Sequence, residues 1–165
     1  MKAMKILFLL LTLQLLSFSA EINIDKLIDK ATKENKHVYV YLHWKDCVYC
    51  QEMSMFTLDT DSVQKAIKND FYYVDIETSK NDTVIYRDFK GTSKEFTKHI
   101  GFGFPVSIFY DKDKSVAGLF PGIYAEDEFL VMLKYIKNNS YKKMELDQYE
   151  KKSDLKRRNR CQRKY

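Results

Sequence analysis

The feature that most constrains this chain is a pair of cysteines, Cys47 and Cys50, with two residues between them. The run before them, residues 37–43, is β-branched and aromatic and predicts a strand. The run from Cys47 to Phe56 has helical composition, with Met53 and Phe56 on the Cys50 side. Two intervening residues place both sulfurs within one helical turn, close enough to form a small disulfide ring. The pattern therefore predicts a strand, a dithiol and a helix in direct succession.

The predicted position of Cys47, at the start of a helix, favours thiolate chemistry. Unpaired backbone N–H groups and the helix dipole stabilise a negative sulfur there. A free thiol with a pKa of about 8.5 is only about 3% thiolate at pH 7, whereas a pKa of about 7 gives about half. Thiol–disulfide exchange needs such a thiolate, since Cys47 would attack a disulfide and Cys50 would resolve the mixed disulfide. The adjacent Asp46 opposes a charge on Cys47, so the pKa of Cys47 stays open.

Three other interpretations of the cysteine pair stay open. A structural zinc site needs four ligands, but Cys161 and the three histidines show no matching spacing. A purely structural disulfide is the second, although so short a loop constrains the unfolded chain little. The third is a carrier in which the two thiolates hold Cu(I), which soft sulfur ligands select, or a sulfane sulfur. We favour exchange, with no metal ion and no cofactor besides the dithiol.

The rest of the chain alternates helical and strand patterns. Apolar residues at helical spacing and capping residues predict helices over 24–31, 61–68, 93–99 and 126–136. β-branched and aromatic runs predict further strands over 71–76, 106–110 and 115–120, with a short β-like patch over 83–86. The last two strands flank a four-residue loop, which is typical of a hairpin. This order predicts an α/β layer structure with a mixed sheet.

The first twenty residues have the composition of an export signal. Lys2 and Lys5 precede an apolar run over residues 6–16, and small residues follow up to Ala20. The run is shorter than the about 20 apolar residues that a membrane-spanning helix needs. We therefore expect a signal peptide over residues 1–20, cleaved after residue 19 or 20, in preference to an uncleaved anchor. The mature protein would be periplasmic or otherwise secreted, where disulfides persist.

The net charge of +5 belongs to the ends of the chain rather than to the predicted domain, residues 21–140. That domain carries 16 basic and 19 acidic residues, whereas the tail over 141–165 carries ten basic and four acidic residues. A nucleic-acid-binding domain carries its basic surface on the folded body, so we expect no nucleic-acid partner. We expect a flexible tail that is disordered or loosely helical and solvated; contact with anionic lipid or an acidic partner is the alternative.

One of the two prolines, Pro105, lies in Gly103-Phe104-Pro105, directly before the predicted strand 106–110. The general preference of X–Pro bonds predicts a trans Phe104–Pro105 bond. A strand, a Cys-x-x-Cys pair opening a helix and a proline before a later strand together resemble the thioredoxin superfamily, in particular its exported, SoxW-like branch. The resemblance covers residues 22–138 and includes Tyr73-Val74-Asp75-Ile76, Gly122-Ile123-Tyr124 and Glu128-Phe129-Leu130.

The resemblance implies a thioredoxin fold, in which helices flank a central mixed sheet, and a role for each site residue. Cys47 is then the attacking thiol and Cys50 the buried resolving thiol, while Pro105 is cis and packs against the disulfide. The implied substrate-binding residues are Phe104, Pro105, Trp44 and Tyr49. The implied activity is that of a thiol–disulfide oxidoreductase, a reductase in preference to an oxidase or an isomerase. The implied partners are protein thiols and disulfides and a membrane electron relay, with the protein a monomer.

The chain departs from typical thioredoxins at three places. Asp46 stands where they have Trp before the first cysteine, and Val48-Tyr49 replaces their Gly-Pro. Tyr41 occupies the position of a buried Asp that assists proton transfer. Candidates for that role are Glu52, Lys45, His43 and solvent. A structural role is nevertheless preferred for His43, as it is for His99, and Cys161 is expected to be incidental rather than an intermolecular link.

Overall fold

The structure is a computed structural model that describes residues 20–153. The predicted signal peptide (apart from Ala20) and the end of the predicted tail, with Cys161, lie outside the described residues. Within residues 20–153, no helix is both long enough and apolar enough to cross a membrane.

The described part of the chain alternates helices and strands. The helices are α1 (Ile24–Lys33), α2 (Val48–Met53), α3 (Asp61–Asp70), α4 (Ser93–Ile100), α5 (Glu126–Lys137) and α6 (146–153). The strands are β1 (Glu21–Asn23), β2 (His37–His43), β3 (Phe71–Glu77), β4 (Thr83–Tyr86), β5 (Phe89–Thr92), β6 (Val106–Tyr110) and β7 (Val116–Pro121). A π-helical turn, Ser54–Leu58, continues α2. The helices and strands predicted between residues 24 and 137 are confirmed.

The main sheet has four strands in the order β3-β2-β6-β7. β2 pairs in parallel with β3 and antiparallel with β6, and β6 pairs antiparallel with β7, so the predicted mixed sheet is confirmed. The structure also contains a second sheet, with the strand order β1-β4-β5. Of these three strands, the sequence predicted only β4, as the short β-like patch over 83–86. The sequence carries little signal for its other strands, because β1 has three residues and β5 reads Phe-Lys-Gly-Thr without alternation.

The main sheet buries side chains on both faces, which places β2 at the centre of the molecule. Successive side chains of a strand point to opposite faces, and in β2 Tyr39 and Tyr41 enter one core while Val38, Val40 and Leu42 enter the other. The first core lies under α3 and α5, and the second lies under α1 and α4. Helices on both faces of a mixed sheet are the expected thioredoxin fold. β2 is therefore a rigid support for the segment that follows it.

The packed part of the chain extends past the predicted domain boundary at residue 140. Tyr141, Met144, Leu146 and Tyr149 are partly buried against the first core, and the Tyr135 hydroxyl donates to the Met144 carbonyl oxygen (2.7 Å). The prediction of a flexible tail is therefore corrected for residues 141–149. This stretch is rich in charged residues, so its composition does not indicate burial. Its four apolar side chains are covered only because the rest of the fold provides a surface against which they pack.

An ion pair between a buried carboxylate and an exposed lysine helps to hold this segment. Asp111, at the end of β6, is buried, and its carboxylate lies 2.6 Å from the Lys142 ammonium and accepts from the Lys112 N–H at 2.7 Å. Burial opposes the charged form of Asp111, but the hydrogen bonds from Lys142 and the Lys112 N–H outweigh burial and hold the pKa of Asp111 below 3.8. The charged carboxylate thus stabilises the fold above that pH, and this contribution is lost as the pH falls through the lower folded-state pKa.

We expect Lys142→Met to lower the free energy of unfolding at pH 7, because the buried Asp111 carboxylate is left with one partner fewer. The difference from the unmodified protein should shrink as the pH falls through the lowered folded-state pKa of Asp111, because a protonated carboxyl no longer needs the Lys142 ammonium. Denaturant unfolding at several pH values measures both effects. Lys143→Met is the matched control, since Lys143 is exposed and lies next to Lys142. Equal effects of the two substitutions would contradict this account of the ion pair.

Candidate functional site

The two cysteines lie where the connection from β2 reaches the start of α2. After His43 the chain makes a turn in which the Cys47 N–H donates to the Trp44 carbonyl oxygen (3.2 Å). Cys47 then caps α2, and a disulfide joins it to Cys50 across a Cα–Cα distance of 5.2 Å. Cys50 is only 2% exposed, whereas Cys47 is half-buried. An incoming molecule can therefore reach the sulfur of Cys47 more readily than that of Cys50.

The backbone at the start of α2 faces the sulfur of Cys47. The Cys50 N–H donates to Cys47 Sγ at 3.1 Å. After reduction of the disulfide, a donor in this place stabilises a thiolate relative to a thiol, since hydrogen bonds to the charged form of a group favour that form. The start of α2 therefore offers a hydrogen-bond donor to a Cys47 thiolate, whereas the adjacent carboxylate of Asp46 opposes a negative charge there.

The proline loop lies at the same end of the sheet as the disulfide. The Phe104–Pro105 bond is cis, as the family resemblance implies and against the general preference for trans. Pro105 directly precedes β6, whose first residue, Val106, pairs with Leu42 of β2. The loop begins at Gly101, whose positive φ of 78° ends α4, a conformation that glycine adopts without steric cost. The pairing of β6 with β2 therefore places Pro105 beside the end of β2, the strand that leads to Cys47.

Two of the predicted substrate-binding residues share a cavity of about 570 Å³. Trp44, 46% exposed, and Phe104, half-buried, line this cavity together with side chains of α4 and of the turn after β3. Tyr49 is 63% exposed on α2 and is not among the described residues of this cavity. The structure therefore brings Trp44 and Phe104 together and leaves Tyr49 on a separate, outward surface.

Tyr41, which occupies the position of the expected buried Asp, lies beneath α2. Its hydroxyl donates to the Cys50 carbonyl oxygen at 3.0 Å. Burial raises the pKa of Tyr41 to about 12, so the phenol keeps its proton at neutral pH. Tyr41 therefore ties the first turn of α2 to the sheet as a hydrogen-bond donor and does not replace the Asp as a proton acceptor.

His43 lies between Tyr41 and a carboxylate of the neighbouring strand. Its ring stacks on the Tyr41 ring (centroids 5.1 Å apart), and its Nε2 lies 2.6 Å from Asp75 Oδ1. His43 also lines a cavity of about 320 Å³ together with Cys50, Lys45 and Asp59. Of the candidates for proton transfer, His43 and Lys45 thus adjoin the space beside Cys50, whereas Glu52 lines a different cavity. His99 packs on Phe89, with ring centroids 4.8 Å apart.

Residues that the sequence did not single out also belong to this region. Asp75 lies in this region because β2 and β3 pair in parallel with Tyr41 opposite Asp75. The alternation of side chains along β3 was the signal in the sequence for the face on which Asp75 lies. Lys94 and Lys98 of α4 line the larger cavity, and the sequence carries no signal that α4 would face Trp44. Among residues 20–153, no group of three or more His, Cys, Asp or Glu side chains is arranged to hold a metal ion.

Comparison with known proteins agrees with this geometry. The chain is similar to a thioredoxin-fold protein from Helicobacter pylori (19% identity, TM-score 0.57, covering 74% of this chain and 87% of that one). It is also similar to a thioredoxin from Thermus thermophilus (20%, 0.54, 72% and 86%) and to the DsbH oxidoreductase (11%, 0.51, 73% and 87%). At such identities these likenesses show the shared fold alone. No curated protein sequence matches the chain.

A family model adds a match that covers most of the chain. The model describes a thioredoxin-like domain and matches residues 24–137, from the first residue of α1 to the last residue of α5. The matched range contains the disulfide and the cis-proline loop. The chain therefore belongs to the family of thioredoxin-like domains.

Proposed function

We propose that the protein is a thiol–disulfide oxidoreductase whose redox group is the Cys47–Cys50 pair. One observation carries this proposal: the disulfide joins an accessible sulfur at a helix start to a buried sulfur one turn later. This asymmetry separates the two roles that exchange requires, one thiol for attack and one for resolution. Membership of the thioredoxin-like family and the proline loop at the same end of the sheet as the pair support the same proposal.

The reaction proceeds in two exchanges. In the reduced protein, the Cys47 thiolate attacks one sulfur of a substrate disulfide, forms a mixed disulfide and releases the other substrate sulfur as a thiolate. Cys50 then loses its proton and attacks Cys47 Sγ, which closes the Cys47–Cys50 disulfide and releases the second substrate thiolate. The substrate gains two electrons and the protein loses two. A dithiol donor must then reduce the protein for the next turnover.

The second exchange requires that buried Cys50 give up a proton, and His43 is the side chain that we assign to accept it. His43 adjoins the same cavity as Cys50, and Asp75 holds its Nε2. An imidazole ring nitrogen can accept a proton, whereas burial raises the pKa of Tyr41 to about 12 and keeps its phenol protonated. The other charged groups that face His43 are Lys45, Asp59 and Glu77.

We expect His43→Gln to slow the resolution of the mixed disulfide by about ten- to a hundredfold at pH 7, since general base catalysis contributes on that order or more. The rate should recover as the pH rises, because Cys50 then loses its proton to solvent. Rapid-mixing measurements of mixed-disulfide decay across pH test this expectation. His99→Gln is the matched control. An unchanged pH profile in His43→Gln, or an equal effect of the control, would show that solvent performs the step.

For the direction of the reaction we propose reduction of substrates, because the exported branch that the sequence resembles contains reductases. Equilibration of Cys47–Cys50 with glutathione, followed by thiol alkylation and mass analysis, measures the reduction potential. A reductase should lie near −270 mV, the thioredoxin value, whereas a value near −120 mV would indicate an oxidant, as for DsbA. A potential below about −300 mV is typical of a structural disulfide and would contradict the proposed function itself.

We further propose that the protein acts outside the cytoplasm as a monomer, on protein thiols and disulfides, and receives electrons from a membrane relay. The support for action outside the cytoplasm is the order of charged, apolar and small residues over residues 1–20. Sequencing of the N-terminus of the protein recovered from fractionated cells tests export. A mature chain that begins at residue 20 or 21 is expected, and a chain that keeps residues 1–19 in the cytoplasmic fraction would contradict it.

A further inference from the structure

We propose that the cavity between Trp44 and Phe104 is a docking site for acidic segments of disulfide-containing protein substrates. The inference rests on the proposed function, because it names the substrate class of the same site. The cavity, about 570 Å³, is called here the lysine cavity. The described residues that line it are Trp44, Thr78, Ser79, Asn81, Lys94, Thr97, Lys98 and Phe104.

The lysine cavity adjoins both segments that frame the disulfide. The Trp44 carbonyl oxygen accepts from the Cys47 N–H, so the indole belongs to the turn that presents the accessible sulfur. Phe104 is joined through the cis bond to Pro105, which lies beside the end of β2. A peptide segment that occupies the cavity therefore lies next to the chain that carries Cys47, where the substrate's own cysteine must be held.

The charge of the lysine cavity is positive. Lys94 and Lys98 lie one turn apart on α4, so their ammonium groups fall on the same side of the helix. Both side chains are exposed, and neither forms an ion pair within the described part of the chain. The described lining includes no carboxylate. Such a concave surface of one sign attracts groups of the opposite sign.

Two carboxylates that lie next to lining residues in the chain, Glu95 and Glu77, are held by other groups. Glu95 lies on α4 between the two lysines, but its carboxylate accepts from the Thr92 N–H (2.8 Å) and hydroxyl (3.0 Å) in the capping box of that helix. Glu77 accepts hydrogen bonds from the N–H and the hydroxyl of Ser79. Both carboxylates are thus committed to local backbone structure, and the two ammonium groups remain available to an incoming anion.

The chemistry of the walls selects a peptide as the occupant. The exposed indole of Trp44 and the ring of Phe104 offer apolar surface to a neighbouring side chain, and the lysines offer charge to Asp or Glu side chains. A cavity of about 570 Å³ accommodates several side chains, more than one inorganic anion would fill. The cavity on another face of α2, beside Phe56 and Ile123, carries Glu52 and Glu126 instead. The charge difference thus favours acidic segments on the Trp44 side alone.

Two model substrates test the proposal. Each is a peptide with one internal disulfide and a fluorophore quenched in the oxidised form; one has two Glu residues beside a cysteine, and the other has Gln at the same positions. We expect the protein to reduce the Glu peptide about five- to tenfold more efficiently in kcat/KM at low salt, since each exposed charge pair contributes up to about fivefold. The preference should fall as salt screens the charges.

Lys94→Gln/Lys98→Gln should remove this preference by lowering kcat/KM for the Glu peptide to the value for the Gln peptide. The matched control is Lys26→Gln/Lys33→Gln, two exposed lysines of α1 that do not line the cavity, which should keep the preference. Equal rates for the two peptides, or a preference that survives in Lys94→Gln/Lys98→Gln, would overturn the docking site while the proposed function stands. Turnover of neither peptide would overturn both. Oxidised glutathione as the best substrate, with the same lysine dependence, would assign the cavity to a small anionic disulfide and overturn the proposal.

Discussion

Cys50→Ser is expected to turn the protein into a trap for its substrates. In this variant Cys47 can still attack a substrate disulfide, but the thiol that would attack Cys47 Sγ and resolve the mixed disulfide is missing. Cys50 is held one helical turn from Cys47, with Tyr41 fixing its carbonyl oxygen. Because an intramolecular thiol in this place acts at a very high effective concentration, its loss should lower multiple turnover by about a hundredfold or more.

The trapped species is measured directly. Non-reducing gels and intact-mass analysis should show one substrate chain bound to each molecule of the variant, and dithiothreitol should release it. Cys161→Ser is the matched control, since it removes the third cysteine of the chain, and it should neither trap substrate nor slow turnover. A Cys50→Ser variant that turns over at the unmodified rate would mean that Cys50 does not resolve the mixed disulfide.

Cys47→Ser should have the opposite signature, with loss of turnover and no trapped substrate. A serine hydroxyl stays protonated at neutral pH and cannot exchange with a disulfide. The remaining thiol, Cys50, is 2% exposed, so a substrate disulfide has little access to it. The substitution should change the fold little, because Cys47 is half-buried and its site on α2 accepts a serine as a helix cap. Thermal unfolding in reducing buffer, where neither protein has the disulfide, checks that point.

Most of the fold followed from residue patterns that are local in the chain. The central strand β2 was predictable because His37–His43 is rich in β-branched and aromatic residues, and α5 because its apolar residues recur at helical spacing. The packing of residues 141–149 was not predictable, since Tyr141 and Tyr149 become buried only against a surface built by distant parts of the chain. The same limit applies to β1, which exists only because β4 pairs with it.

The site divides in the same way. The cysteine pair and its position at a helix start were predictable from spacing and composition, whereas the cis form of Phe104–Pro105 came only from the family resemblance. Asp75 beside His43 depends on the register between two strands, and the lysine cavity depends on the approach of four separate segments. Neither arrangement leaves a pattern in a single stretch of sequence. The cysteine chemistry was therefore predictable from the sequence, whereas the lysine cavity, which we propose to bind substrates, was not.

The central claim is that Cys47 and Cys50 together catalyse disulfide exchange. Its most direct test is the multiple-turnover reduction of insulin by dithiothreitol with the unmodified protein and with Cys47→Ser, side by side. We expect the unmodified protein to accelerate the reduction and Cys47→Ser to leave it at the uncatalysed rate. An unmodified protein without acceleration, or a Cys47→Ser variant that retains it, would contradict the account.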